Sequence, residues 1–208
     1  EWKKGAYIHL VRNDSYWKPG LPYLDDIYFQ VIPDLASRAV ALESGKVDVS
    51  SFSDIELFEV NRFKTKPNFE VTIKGYEFLS PLAWIEFNTR NKPMNDKRFR
   101  QAVMYALDRG FIRDKIWFGH ATVATGPVSS ATRFYEPDVK PYGLDLKKSE
   151  ALLDEMGLVK DKDGVRATIK LLGLPYGETW NRLNEYVRQS LGKVGLRVVI
   201  ESTDAAGW

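Results

Sequence analysis

Apolar and polar positions follow two periods along the chain, and the change from one to the other marks its elements. Residues 6–12, AYIHLVR, and 26–32, DIYFQVI, alternate with period two. Ile8 and Leu10 share one face of the first run, as Ile27, Phe29 and Val31 do of the second, so both are predicted strands. Residues 13–24 place Tyr16, Trp17 and Tyr23 among Pro19, Gly20 and Pro22, the pattern of an irregular loop pinned by aromatic rings. Asp34 is then placed to cap a helix with Leu35, Ala39 and Leu42 on its inner side and Gly45 beyond its end. A short strand over 47–50 is expected to pair beside the first two. Ser53 and Glu56 have the spacing of a reciprocal helix cap, with Ile55, Phe58 and Phe63 inward. Residues 69–74, FEVTIK, alternate again. Up to about residue 80 the order is α/β in class.

Residues 84–112, WIEFNTRNKPMNDKRFRQAVMYALDRGFI, open a second body. Trp84, Ile85 and Phe87 read as a strand, and residues 88–95 as a polar loop containing Pro93. Asp96 can cap a helix whose apolar face is Phe99, Ala102, Val103, Ala106 and Leu107, at three-and-four spacing. Asp108 can cap another with Phe111, Ile112, Ile116 and Trp117, which Gly119 ends. Residues 120–144 carry Pro127, Pro137 and Pro141 without a period and form a long irregular excursion. Asp145 caps a helix with Leu152, Leu153 and Met156, closed by Gly157. Asp163 and Gly164 turn the chain into a strand over 167–172. A helix over 180–193 carries Leu183, Tyr186, Val187 and Leu191, and Gly195 leads into a strand over 196–200. This is a second α/β unit.

Composition narrows the function classes. The chain has 208 residues, 44% hydrophobic, enough to bury roughly 70% of its unfolded surface. A net charge of +2, left from 30 basic and 28 acidic residues, gives no field that favours nucleic acid or an anionic membrane. No apolar run approaches the roughly 20 residues that span a bilayer, and the first residues carry no signal-peptide pattern, so the stretch as it stands reads as soluble. Zero cysteines exclude disulfides and thiolate chemistry. His9 and His120 are the only histidines and lack metal-site spacing, and the glycines form no phosphate-binding loop. No cofactor, metal or enzymatic activity is indicated. Lys97, Arg98 and Arg100 read as a solvated helix face, balanced by Asp96 and Asp108.

Candidate ligand contacts come from position. Glu86 interrupts an apolar strand, so its carboxylate either faces a cleft or lies on a wet alternate face. Trp84 could wall a ligand side chain, although a place in the core fits it better. Tyr176, Thr179 and Trp180 follow a strand and precede a helix, where α/β bodies reach solutes, unless they staple the helix start. Ser50, Ser51 and Phe52 stand before a helix as ordinary turn and cap residues.

The run Glu86-Phe87-Asn88, Lys92-Pro93, Asn95 to Ala102 and Tyr105 to Arg109 resembles the signature of the extracytoplasmic solute-binding proteins of the peptide/nickel family. These are the receptors of dipeptide and oligopeptide ABC importers. Glu1 to Gly5 with Arg12 to Trp17, and Val31 to Asp34 with Ala39 to Asp48, resemble the family's earlier segments in the same order. The resemblance implies a partial type II periplasmic-binding-protein-like α/β fold, with residues 1–80 a late piece of the first lobe and 81–208 the opening half of the last. It implies that the chain is an internal piece of a longer periplasmic or cell-surface receptor for peptides or a related small solute, which meets the membrane only through its ABC permease. It also implies that Ser50, Ser51 and Phe52 touch ligand backbone and that Glu86 lies where the lobes join. The intact receptor is expected to be a monomer, whereas faces left bare in the piece could pair with another copy. The rival readings are a hydrolase with a carboxylate site around Glu86 and a chaperone-like peptide holder.

Overall fold

The computed structural model describes residues 1–51, 54–75, 81–204 and 206–207. The chain divides into two compact units, Glu1–Val71 and Thr72–Trp208.

In the first unit β1 (Trp2–Lys3), β2 (Tyr7–Val11) and β3 (Asp26–Gln30) form an antiparallel sheet in that order. Ile8 faces Phe29 and Leu10 faces Ile27 across β2 and β3, so the apolar positions fall on one side, as their period requires. That side is open, with Ile8, Leu10, Ile27 and Phe29 each at least 40% exposed, and the other side is partly open too, with Val11 and Tyr28 exposed. On the other side His9 stacks on Tyr28 with ring centroids 4.0 Å apart, and its Nε2 lies 2.6 Å from the Asp26 carboxylate. Helix α1 (Leu35–Glu43) starts where predicted, with the Ser37 amide donating to Asp34 Oδ1 at 2.7 Å. The Ser37 side chain and amide together hold the Asp34 carboxylate below the usual aspartate range. Helix α2 (Leu57–Lys64) buries Phe63, whose ring meets Phe69 at 4.8 Å. Glu43 ties the two helices by accepting from Arg62 at 2.7 Å and from Lys66.

Three predicted strands are absent. Residues 47–50, 69–74 and 84–87 run without strand pairing. Their alternation is real, but a strand also needs a hydrogen-bonded neighbour, and Val49 and Ile73 remain exposed. The reciprocal cap expected at 53–56 is also corrected: α2 begins at Leu57 with Glu56 at its cap position and no side-chain cap, while Ser53 lies outside the described residues.

The second unit is organised around α3 (Lys97–Tyr105), α5 (Leu146–Glu155), α6 (Glu178–Gly192) and the parallel pair β4 (Ala167–Leu172) and β5 (Leu196–Glu201). Phe99, Val103, Leu153, Leu191, Val194 and Leu196 make its buried centre. Ala102 and Ser149 are small where α3 and α5 cross, and the Ser149 hydroxyl donates to the Ala102 carbonyl at 2.7 Å, satisfying the one polar group placed there. The turn after Asp108 departs from plain helix. The three-residue α4 (Arg109–Phe111) widens into a π-helical turn over Ile112–Ile116, with the Trp117 amide donating to the Ile112 carbonyl at 3.1 Å.

Gly195 closes the α6 to β5 turn with φ +84°, and a Cβ there would lie 2.9 Å from the Gly164 carbonyl oxygen and 3.0 Å from Arg166 Cγ. Gly195→Ala is therefore expected to cost about 2–3 kcal/mol in urea denaturation, from left-handed strain plus a backbone collision. Gly157→Ala, at φ +75° in open space, carries the strain alone and should cost about 1 kcal/mol. Equal losses in the two variants would show that the contact is not hard.

Candidate ligand-binding site

Parallel strands β4 and β5 end together at Leu172 and Glu201, and the chain that leaves β4 turns at once into α6. Gly173 makes this turn possible: its amide donates to the Glu201 carbonyl at 3.0 Å, and a Cβ on it would sit 2.3 Å from Asn184 Nδ2. Gly177, at φ +94°, precedes the first helical residue. Tyr176 projects from this turn and is well exposed, while Thr179 and Trp180 are half-buried in the first turn of α6.

Trp180 is fixed by a ring that sequence reasoning did not single out as part of the site. Trp117, from the end of the π-helical turn, meets it edge to face with centroids 5.6 Å apart and an interplanar angle of 89°. Nearly two turns further along α6, Tyr186 stacks on Phe111 at 4.9 Å, and its hydroxyl accepts from the Asp108 amide at 2.9 Å. Two aromatic pairs thus lock α6 to the segment after α3. Trp117 and Trp180 lie 63 positions apart, and no local pattern announces their contact.

Trp84 and Glu86 share the outward side of the extended segment before α3, while Ile85 and Phe87 pack on the core. The expected core placement of Trp84 is corrected, for its side chain is 71% exposed. Alternation persists here without a ladder, because the two inward residues suffice to anchor the segment. In the first unit Ser50 is half-buried and Ser51 exposed, and Phe52 lies outside the described residues. The structure brings Tyr176, Thr179 and Trp180 together, places Trp84 and Glu86 side by side on another segment, and puts Ser50 and Ser51 in the other unit.

Two charged groups of this unit have structural partners. Lys170 pairs with Glu201 at 2.7 Å across the strand ends, and the carboxylate raises the lysine's pKa. Asp96 caps α3 by accepting from the Arg98 amide at 2.8 Å, and Arg98 holds its carboxyl below the ordinary range. Among the described residues no group of three His, Asp or Glu side chains is placed to hold a metal ion, and no helix is long and apolar enough to cross a membrane.

Residues 1–208 match the family described as bacterial extracellular solute-binding proteins, family 5, middle region. The chain belongs to that family. It is 31% identical over 209 residues to the oligopeptide-binding protein AppA of Bacillus subtilis, covering 95% of this chain and 37% of that protein. To the glutathione-binding protein GsiB of Escherichia coli K12 it is 27% identical over 210 residues, covering 98% and 38%. Among solved structures, the periplasmic binding protein DppA of Helicobacter pylori, in complex with the peptide STSA, superposes with a TM-score of 0.83 at 27% identity, over all of this chain and 38% of that one. NikA of Brucella suis, in complex with Fe(III)-EDTA, gives 0.82 at 26% identity over all of this chain and 43% of that one. The family 5 chain thus has part of the periplasmic-binding-protein fold expected from its signature segments, and spans less than half the length of these relatives.

Proposed function

We propose that this family 5 chain is part of the substrate-binding component of an ABC importer, working outside the cytoplasm. It carries a peptide or a related small solute to the permease without chemical change. The observation that carries this reading is the family match across all 208 residues. The loop at the carboxyl ends of β4 and β5 supports it, since such loops are where open α/β sheets hold ligands. On this reading residues 1–80 belong to one lobe and 81–208 to the other. Ligand bridges the lobes and favours the closed form, because contacts to both exist only there, and closure is what the permease recognises.

Tyr176, Thr179, Trp180, Trp84 and Glu86 supply the ligand contacts of the second lobe, with Ser50, Ser51 and Phe52 those of the first. Trp117 holds Trp180 in place. The solute class is read broadly, because AppA and GsiB are named for different ligands and the NikA structure holds a metal chelate on the same framework.

In the full-length receptor, Tyr176→Ala and Glu86→Gln should each weaken binding of the cognate solute about tenfold, which is about 1.4 kcal/mol. Calorimetric titration reads the affinity, and chromatography of the recovered solute should show it unchanged. Unaltered affinity in both variants would contradict the site. Consumption of solute that Glu86→Gln abolishes would instead establish a hydrolase.

A further inference from the structure

A concavity lies within the Thr72–Trp208 unit, and none of the candidate ligand contacts lines it. It is open to solvent on one side and has a volume of about 320 Å³ between α3, α5 and the loop before α5. Gln101 and Tyr105 line it from α3, Lys148 and Leu152 from α5, and Lys140 and Tyr142 from the loop.

The loop wall is fixed in place. The Arg109 guanidinium donates to the Tyr142 carbonyl at 3.2 Å and to the Ala124 carbonyl at 3.0 Å, and the Asp145 amide donates to the Tyr105 carbonyl at 2.8 Å. The Tyr105 and Tyr142 rings meet edge to face at 5.1 Å, and Gln101 Nε2 donates to the Tyr142 hydroxyl oxygen at 3.2 Å. That hydroxyl, already an acceptor, has its own proton left to donate.

The charge is one-sided. Lys140 and Lys148 line the concavity and no carboxylate does. The nearest acid acting on Lys148 is Asp145, which caps α5 by accepting from the Lys148 amide at 2.9 Å. The Lys148 ammonium sits 4.5 Å from the centre of the Tyr105 ring, and its interaction with that tyrosine raises the lysine's pKa.

We propose that this concavity is a binding site for a small oxyanion, a carboxylate or a phosphate, held between Lys140 and Lys148 with the Tyr142 hydroxyl as donor. Its volume is at the small end of the roughly 300–1,000 Å³ of ligand sites, so the guest is of metabolite size. Two ammonium groups and a free phenolic proton, with no fixed negative charge among them, complement spread negative charge and repel cations. The proposal does not depend on which solute the importer carries.

Inorganic phosphate and succinate are titrated separately into the full-length receptor at fixed ionic strength, and binding is read by calorimetry. Saturable binding of at least one is expected, at least tenfold weaker in Lys148→Gln and unchanged in Lys147→Gln, which removes the same charge one residue away and outside the lining. Binding of phosphate alone or of succinate alone identifies the guest's class. No saturable binding of either anion would overturn the proposal, and so would equal losses in the two lysine variants, which would reduce the effect to bulk charge. Circular dichroism of each variant should match the parent, since both lysines are exposed.

Discussion

Phe99→Ala is expected to destabilise the Thr72–Trp208 unit by about 3–5 kcal/mol, the largest single-residue effect in the chain. Phe99 is 0% exposed and stands where the buried faces of the helices and of β5 converge. Truncating it removes the transfer energy of a full phenyl ring and leaves a cavity that two helices, pinned by the Ser149 to Ala102 hydrogen bond, cannot collapse to fill. A domain of this size has only about 5–15 kcal/mol of stability in total, so the variant should be partly unfolded near 37 °C. Urea denaturation followed by far-ultraviolet circular dichroism measures the loss. Phe111→Ala, on a side chain 44% exposed, should lose much less. A Phe99→Ala loss below about 1 kcal/mol would mean that α3 is not the central element of this core.

Four of the helix starts were readable because their signals are local. Asp34, Asp96, Asp108 and Asp145 each accept from an amide two or three residues on, and the apolar face from Phe99 to Leu107 is buried throughout. Pairing is a different matter. Residues 47–50, 69–74 and 84–87 have the period of strands, and nothing in a period states whether a neighbour stands alongside to complete the ladder.

Long-range polar contacts were equally invisible. The side chain of Arg166, which no local pattern singles out, is only 5% exposed, donates to the Leu158 carbonyl at 2.6 Å and pairs with Asp154. Of the site, the Tyr176 to Trp180 turn was placed from strand and helix signals that lie next to it. Its backing by Trp117 was not, because that contact spans two elements joined only in the folded unit. Trp84 shows a further limit: hydrophobicity favoured burial, and the phase of the segment put Ile85 and Phe87 inward instead.

In the proposed receptor the grip on ligand is shared between two lobes. A closed site buries about 70–90% of a small ligand's surface, and this chain spans 37–38% of the length of AppA and GsiB. Losing the ligand hydrogen bonds and apolar contacts made by the remaining residues should amount to three or four tenfold steps, each about 1.4 kcal/mol.

The decisive measurement is a pair of calorimetric titrations with one solute, chosen because it stabilises the full-length receptor in a thermal-shift screen of short peptides, sugars and chelated metals. The solute should bind the full-length receptor tightly and the 208-residue chain at least about a thousandfold more weakly. Affinities that agree within about threefold would place the whole grip inside these 208 residues and contradict the two-lobed account.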